Sequence, residues 1–129
     1  MATWNNLRDY IRSTYKTSTE EEDVFFITFD LGNMRSQMVI VSKQETTSGD
    51  VWVEISSPIG KLEMKDIDKA LEFLDNRICG GMVKCGERYF VRHTMPIDGL
   101  SINEFEDPLK SVVLSADKIE ESFIGNDQN

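Results

Sequence analysis

The chain has 129 residues, 40% of them hydrophobic and 29% charged, enough to bury one core and too few for two domains of ordinary size. Its 23 acidic residues against 14 basic ones leave a net charge of −9. That balance excludes a surface built for the phosphates of DNA or RNA and disfavours anionic membranes.

The first apolar residues, Trp4, Leu7, Ile11 and Tyr15, recur every three or four positions. At about 100° per residue they share one stripe, which predicts a helix from Thr3 to Tyr15 with Tyr10 on its flank. The polar stretch Lys16 to Glu22 ends it, and the acidic run Glu20-Glu21-Glu22-Asp23 reads as a solvated loop. Val24 to Leu31, rich in aromatic and β-branched residues, predicts a strand, Gly32-Asn33 a turn, and Met34 to Lys43 a second strand. A polar loop from Glu45 to Asp50 follows. Val51 to Ser56 alternates apolar and polar, as a strand with one buried face does, and Pro58 with Gly60 is expected to end it. Short connections make these three strands an antiparallel meander.

A second helix is predicted from Asp66 to Arg77, capped by Asp66, with Ile67, Leu71, Leu74 and Ile78 as its stripe and Gly80-Gly81 as its stop. Met82 to Cys85 and Arg88 to Met95, joined by Gly86-Glu87, read as a hairpin. The last helix has two possible starts. Ser101-Ile102-Asn103-Glu104 is a capping box and Asp107-Pro108 is a second cap. Proline inside a helix costs about 3 kcal/mol. The expectation is therefore a short turn over 101–106 and a main helix over 108–124. Phe105, Leu109, Val112, Ala116, Ile119 and Phe123 would face the core, and Gly125 to Asn129 would form a polar tail. The order α-β-β-β-α-β-β-α describes one α+β domain, an antiparallel sheet with helices packed on it.

The residues offer little chemistry. His93 is the only histidine, so no multi-histidine metal site exists, and its place late in a strand suits a structural or surface role. Cys79 and Cys85 have neither zinc-knuckle nor Cys-x-x-Cys spacing and read as ordinary thiols. There is no Gly-x-Ser-x-Gly elbow, and Ile78-Cys79-Gly80-Gly81-Met82 lacks the lysine and hydroxyl residue of a phosphate loop. The expectation is a non-enzymatic protein with no cofactor and no metal. No apolar run approaches the roughly 20 residues of a membrane span, and the first residues lack the pattern of a secretory signal, so the cytoplasm is the expected location.

Two stretches carry a family resemblance. Ser57-Pro58-Ile59-Gly60 followed by Ala70-Leu71-Glu72-Phe73-Leu74-Asp75-Asn76 is one; Arg92-His93-Thr94-Met95-Pro96-Ile97-Asp98-Gly99-Leu100 followed by Ala116-Asp117-Lys118-Ile119 is the other. With the element order, they resemble YbjN-type, sensory-transduction-regulator-like proteins, which share the fold of class I type III secretion chaperones of the Tir-chaperone type. The resemblance implies a homodimer that binds an extended segment of another protein. It supports fold more firmly than function, because one fold hosts many activities.

Particular residues fit that implication. The first predicted strand puts Phe25, Ile27, Phe29 and Leu31 on one face and Val24 and Phe26 on the other, so the second face needs cover from a helix, a second subunit or a ligand chain. The wide apolar face of the second helix, Ile67, Ala70, Leu71, Phe73 and Leu74, is the expected dimer interface. Trp4, Leu7, Trp52 and Leu114 are the expected partner contacts: Trp52 lies on the polar face of its strand and Leu114 opposite the last helix's stripe. Met34 and Met38 could serve a surface that accepts varied sequences or simply fill the core. Two other readings stay open: an accessory or signalling subunit that recognises one folded partner, and a small-molecule binder or enzyme without a recognisable motif.

Overall fold

Strict alternation along neighbouring strands decides the architecture. The computed structural model describes residues 3–124. The first helix, α1, spans Trp4–Thr14, and a four-residue strand β1, Thr17–Glu20, follows it. Strands β2 (Val24–Gly32), β3 (Arg35–Glu45) and β4 (Val51–Gly60) form the predicted meander. Helix α2 covers Met64–Asp75, strands β5 (Gly81–Cys85) and β6 (Arg88–Pro96) form the predicted hairpin, and α3 covers Ile102–Ile119. A π-helical turn, Glu120–Ile124, closes the described chain. The six strands make one antiparallel sheet in the order β1-β2-β3-β4-β6-β5. The predicted elements thus recur in their predicted order, with β1 added at one edge; the tail 125–129 lies outside the described residues.

One face of the sheet holds the core. Phe25 and Ile27 of β2, Val39 and Val41 of β3, Val53 and Ile55 of β4, and Val91 and Met95 of β6 are buried there. Each pair stands opposite the next in register: Phe25 faces Val41, Val41 faces Ile55, and Val53 faces Met95. Against this face pack Trp4, Leu7 and Ile11 of α1, Ala70 and Leu74 of α2, and Phe105, Leu109, Val112 and Ala116 of α3. Fully burying an aliphatic or aromatic side chain of this size contributes roughly 1.5–3 kcal/mol.

Several local expectations gave way to tertiary context. Lys16 to Glu22 is not all loop. Thr17, Thr19 and Glu20 pair with β2 across an irregularity, and Arg12 of α1 forms an ion pair with Glu20. Pro58 does not end β4, although it has no amide hydrogen for the ladder. The Ser57 hydroxyl donates instead to the Met38 carbonyl (2.6 Å), and the buried Gln37 amide donates to Ser57 Oγ and the Pro58 carbonyl, each at 2.8 Å. Asp66 is not a cap. Helix α2 begins two residues earlier with Glu63 at the N-cap, where no side-chain cap forms, and Asp66 lies in the first turn. The helix ends at Asn76, before Gly80-Gly81. Met34 lies in the β2–β3 turn rather than in the strand, fully exposed.

Helix α3 also departs from expectation: it runs through Pro108 without a break. The capping box is complete, with Ser101 Oγ accepting from the Glu104 amide and Glu104 accepting from the Ser101 amide. Pro108 offers no N–H to the Glu104 carbonyl four residues earlier, but Phe105, Pro108 and Leu109 are all buried. Burial of three apolar side chains on that turn outweighs one missing backbone bond. Helices α1 and α3 are joined through Glu106, whose carboxylate accepts hydrogen bonds from Tyr10 and Tyr15, both at 2.5 Å. Burial, followed by the bond to Glu106, raises the Tyr15 hydroxyl far above its ordinary pKa, so it stays a donor.

Candidate binding surfaces on the sheet and on the second helix

The sheet's other face carries the alternate residues of the same strands, and no helix packs on it among the described residues. Its rungs are apolar as well as polar. Phe26 stands opposite Ile40, Ile40 opposite Ser56 and Ser56 opposite Arg92; beside them Thr28 faces Met38, and Pro58 faces Phe90, which faces Val83. Phe26, Met38, Ile40, Val83 and Phe90 are half-buried, shielded only by their neighbours in the sheet. A shallow cavity of about 210 Å³ opens among Ile40, Ser56, Val83, Cys85 and Phe90, bordered by the Arg92–Glu54 ion pair at 3.4 Å. An antiparallel sheet often leaves one face to water, but then that face is polar. This one mixes an apolar strip with a charged border, the composition of a contact surface.

The two sheet edges differ. The β1 edge is short, polar and irregular, features that discourage pairing with another chain. The β5 edge, Gly81-Met82-Val83-Lys84-Cys85, follows α2 in the chain and packs near it.

Helix α2 presents a second surface. Ala70 and Leu74 are buried against the core, and Phe73 is half-buried with the Arg77 guanidinium 4.6 Å above its ring. Leu71 is 46% exposed, Met64 is 87% exposed and Ile78, just beyond the helix, is 100% exposed. The expected core stripe Ile67-Leu71-Leu74-Ile78 is therefore rotated: the inward line centres on Ala70 and Leu74. Of the residues expected at a dimer interface, Ala70 and Leu74 face inward, Ile67 and Phe73 sit at the boundary, and Leu71 alone is exposed.

The expected partner contacts separate in the same way. Trp4 (6% exposed) and Leu7 (fully buried) belong to the core; Trp4 lies tilted against Phe25, ring centroids 6.0 Å apart, and donates its indole N–H to the Glu22 carbonyl at 3.0 Å. Neither offers surface to a partner in this fold. Trp52 is half-buried on the open sheet face, between Gln44 and Pro96 in register. Leu114 is 55% exposed on the outside of α3. The sequence missed Phe26, Ile40, Val83 and Phe90 as one surface, because only sheet register shows that they adjoin.

His93 and Cys79 line one cavity near the start of α3, but no hydrogen bond joins them among the described residues. Burial lowers the His93 pKa, which keeps the imidazole neutral. No group of three or more His, Cys, Asp or Glu among the described residues is arranged to hold a metal ion. No helix among them is long and apolar enough to cross a membrane.

No family model matches the chain. No curated protein matches it in sequence. Among solved structures, a chain of the HopA1–SchA chaperone–effector complex is similar, with a TM-score of 0.58 over 88% of this chain and 89% of that one, at 12% identity. So low an identity speaks for the fold alone. The fold is α+β in one domain, of the type III secretion chaperone-like kind that the family resemblance implies.

Proposed function

We propose that the chain is a non-enzymatic, chaperone-like protein-binding module that holds a segment of a partner polypeptide against its open sheet face. The observation that carries this reading is the half-buried apolar strip Phe26-Ile40-Phe90-Val83, with no helix over it among the described residues. An extended partner could lie along that strip or add a strand beside β5. The likeness to a chain of a chaperone–effector complex supports the same class of role. The narrower YbjN-type affinity rests on the residue patterns around Ser57 and Arg92 alone.

A homodimer through α2 belongs to the reading. The exposed Met64 and Leu71, with the half-buried Ile67 beside them, form an apolar ridge that a two-fold mate would bury. Trp52 and Leu114 are retained as candidate partner contacts, and the cytoplasm as the place of action.

The experiment is purification of the tagged chain from its host, with identification of what co-purifies and light scattering on the same sample. A polypeptide retained by the wild type and lost from Ile40→Glu supports the sheet-face site. Retention by that variant, or a retained small molecule and no polypeptide, overturns it. For the dimer, Leu71→Glu should yield a monomer; an unchanged dimer would remove α2 from the interface.

A further inference from the structure

A cavity of about 360 Å³ lies on the helical side, between the end of β6, the loop 97–101 and the first turns of α3. Its floor is apolar: Met95, Leu100 and Pro108 line it and each is otherwise buried. Its rim is acidic. Asp98 and Asp107 are exposed and make no ion pair among the described residues, and Glu104 has one oxygen engaged by the Ser101 amide. A second cavity of about 460 Å³ shares Cys79 and Asp107 with the first and continues along 76–78 to Ser111. Together they form a groove that crosses the flank of α3 and ends beside the fully exposed Ile78.

Acidic residues on a protein with net charge −9 are ordinarily a solvated surface. What distinguishes these is that they ring an apolar floor, and that Asp98 and Asp107 make no ion pair among the described residues. The cation in the lining, Arg77, is drawn over the Phe73 ring at 4.6 Å. His93 adds no positive charge while burial keeps it neutral.

A second copy of the chain is a poor occupant, because a two-fold contact here would bring Asp98, Glu104 and Asp107 toward their own counterparts. The complementary occupant is cationic at its ends and apolar at its centre. We infer that this groove docks a short basic–apolar segment of a partner polypeptide, with one bulky apolar side chain over Met95, Leu100 and Pro108 and flanking lysine or arginine on the Asp98–Glu104–Asp107 rim. The inference rests on the polypeptide-binding reading and supplies the chemistry of a second contact, on the opposite side of the sheet from the first. The long-range field of an acidic protein favours approach of such a segment.

The test is a nuclear magnetic resonance titration of the isotope-labelled chain with a synthetic nine-residue peptide: one central leucine between two pairs of arginines, with glycine–serine ends. The amides of Cys79, Met95, Leu100 and Glu104 should shift together. Asp98→Asn with Asp107→Asn, both exposed and thus compatible with the fold, should weaken binding roughly two- to thirtyfold, the sum of two exposed ion pairs. A peptide with serine in place of leucine should bind at least about tenfold more weakly. Equal binding of the serine peptide, shifts confined to Phe26, Ile40 and Phe90, or no shift at millimolar peptide each overturn the groove. Those failures leave the sheet-face reading standing whenever the wild type still retains a polypeptide that Ile40→Glu loses; loss of that retention sinks the broader reading instead.

Discussion

Phe25 and Phe26 are neighbours in the chain and lie on opposite sides of one strand. Phe25 is fully buried beneath α1, where Trp4 lies against it, whereas Phe26 looks out from a face that no helix covers among the described residues. The same contrast repeats at Val39 and Ile40, and at Val91 and Phe90. One side of this sheet is finished by the chain's own helices and the other is not, although both carry apolar side chains. Apolar character therefore does not distinguish core from contact surface here; the presence of a covering layer does.

The largest expected break in that contrast is Phe25→Ala, which should lower unfolding free energy by about 3–5 kcal/mol, as for buried aromatics elsewhere. Phe26→Ala should cost about 1 kcal/mol or less, within the range of surface changes. Denaturant melts of the two variants side by side measure the difference, and equal losses would mean that the second face is covered after all. Next in size is Gln37→Ala. It strips the donors that serve Ser57 and the Pro58 carbonyl, and should cost about 1–3 kcal/mol in the same assay. Ser101→Ala removes half of the α3 capping box and should cost about 1 kcal/mol.

The smallest effect is a pH dependence. Burial lowers the folded-state pKa of His93, so the stability tied to its neutral form is fully present above the unfolded value of about 6.5. It is lost as pH falls below that value toward the folded one. Thermal midpoints of the wild type should therefore decline slightly more than those of His93→Gln between pH 7 and pH 5.5; parallel declines would place the imidazole in water.

Periodicity made most of this fold legible in the sequence. The alternation in Val51 to Ser56 and the three–four spacing from Trp4 to Ile11 depend on local geometry, and both elements stand where they were expected. What escaped was set by neighbours. Thr17 to Glu20 has no strand pattern of its own and becomes a strand because β2 offers it an edge. Pro58 persists in β4 because Gln37 and Ser57, distant in sequence from one another, take over its hydrogen bonding. Pro108 persists in α3 because the turn around it is buried.

The candidate site was less legible for a related reason. An amphipathic stripe shows that a face is apolar without showing what lies against it. Trp4 and Leu7 accordingly read as partner contacts and proved to be core, while the wide face of α2 divides into inward Ala70 and Leu74 and outward Leu71. The sheet-face strip draws Phe26, Ile40, Phe90 and Val83 from four strands, and only their register brings them together.

The corner between β2 and β3 has a consequence for all of this. Asn33 and Met34 both adopt left-handed backbone, with φ of 53° and 61°, after Gly32 at 79°, and the pairing shifts by one residue between Asp30 and Gly32. Side chains along a strand alternate with a period of two, so inserting or removing a single residue at this corner would put β3 out of phase with β2. With Phe25 and Ile27 held in the core, Ile40 would turn toward the helices and Val39 toward solvent. The phase of one strand against the next hangs on a few residues at this corner, and a length change there would act as an inversion of β3 rather than a local insertion.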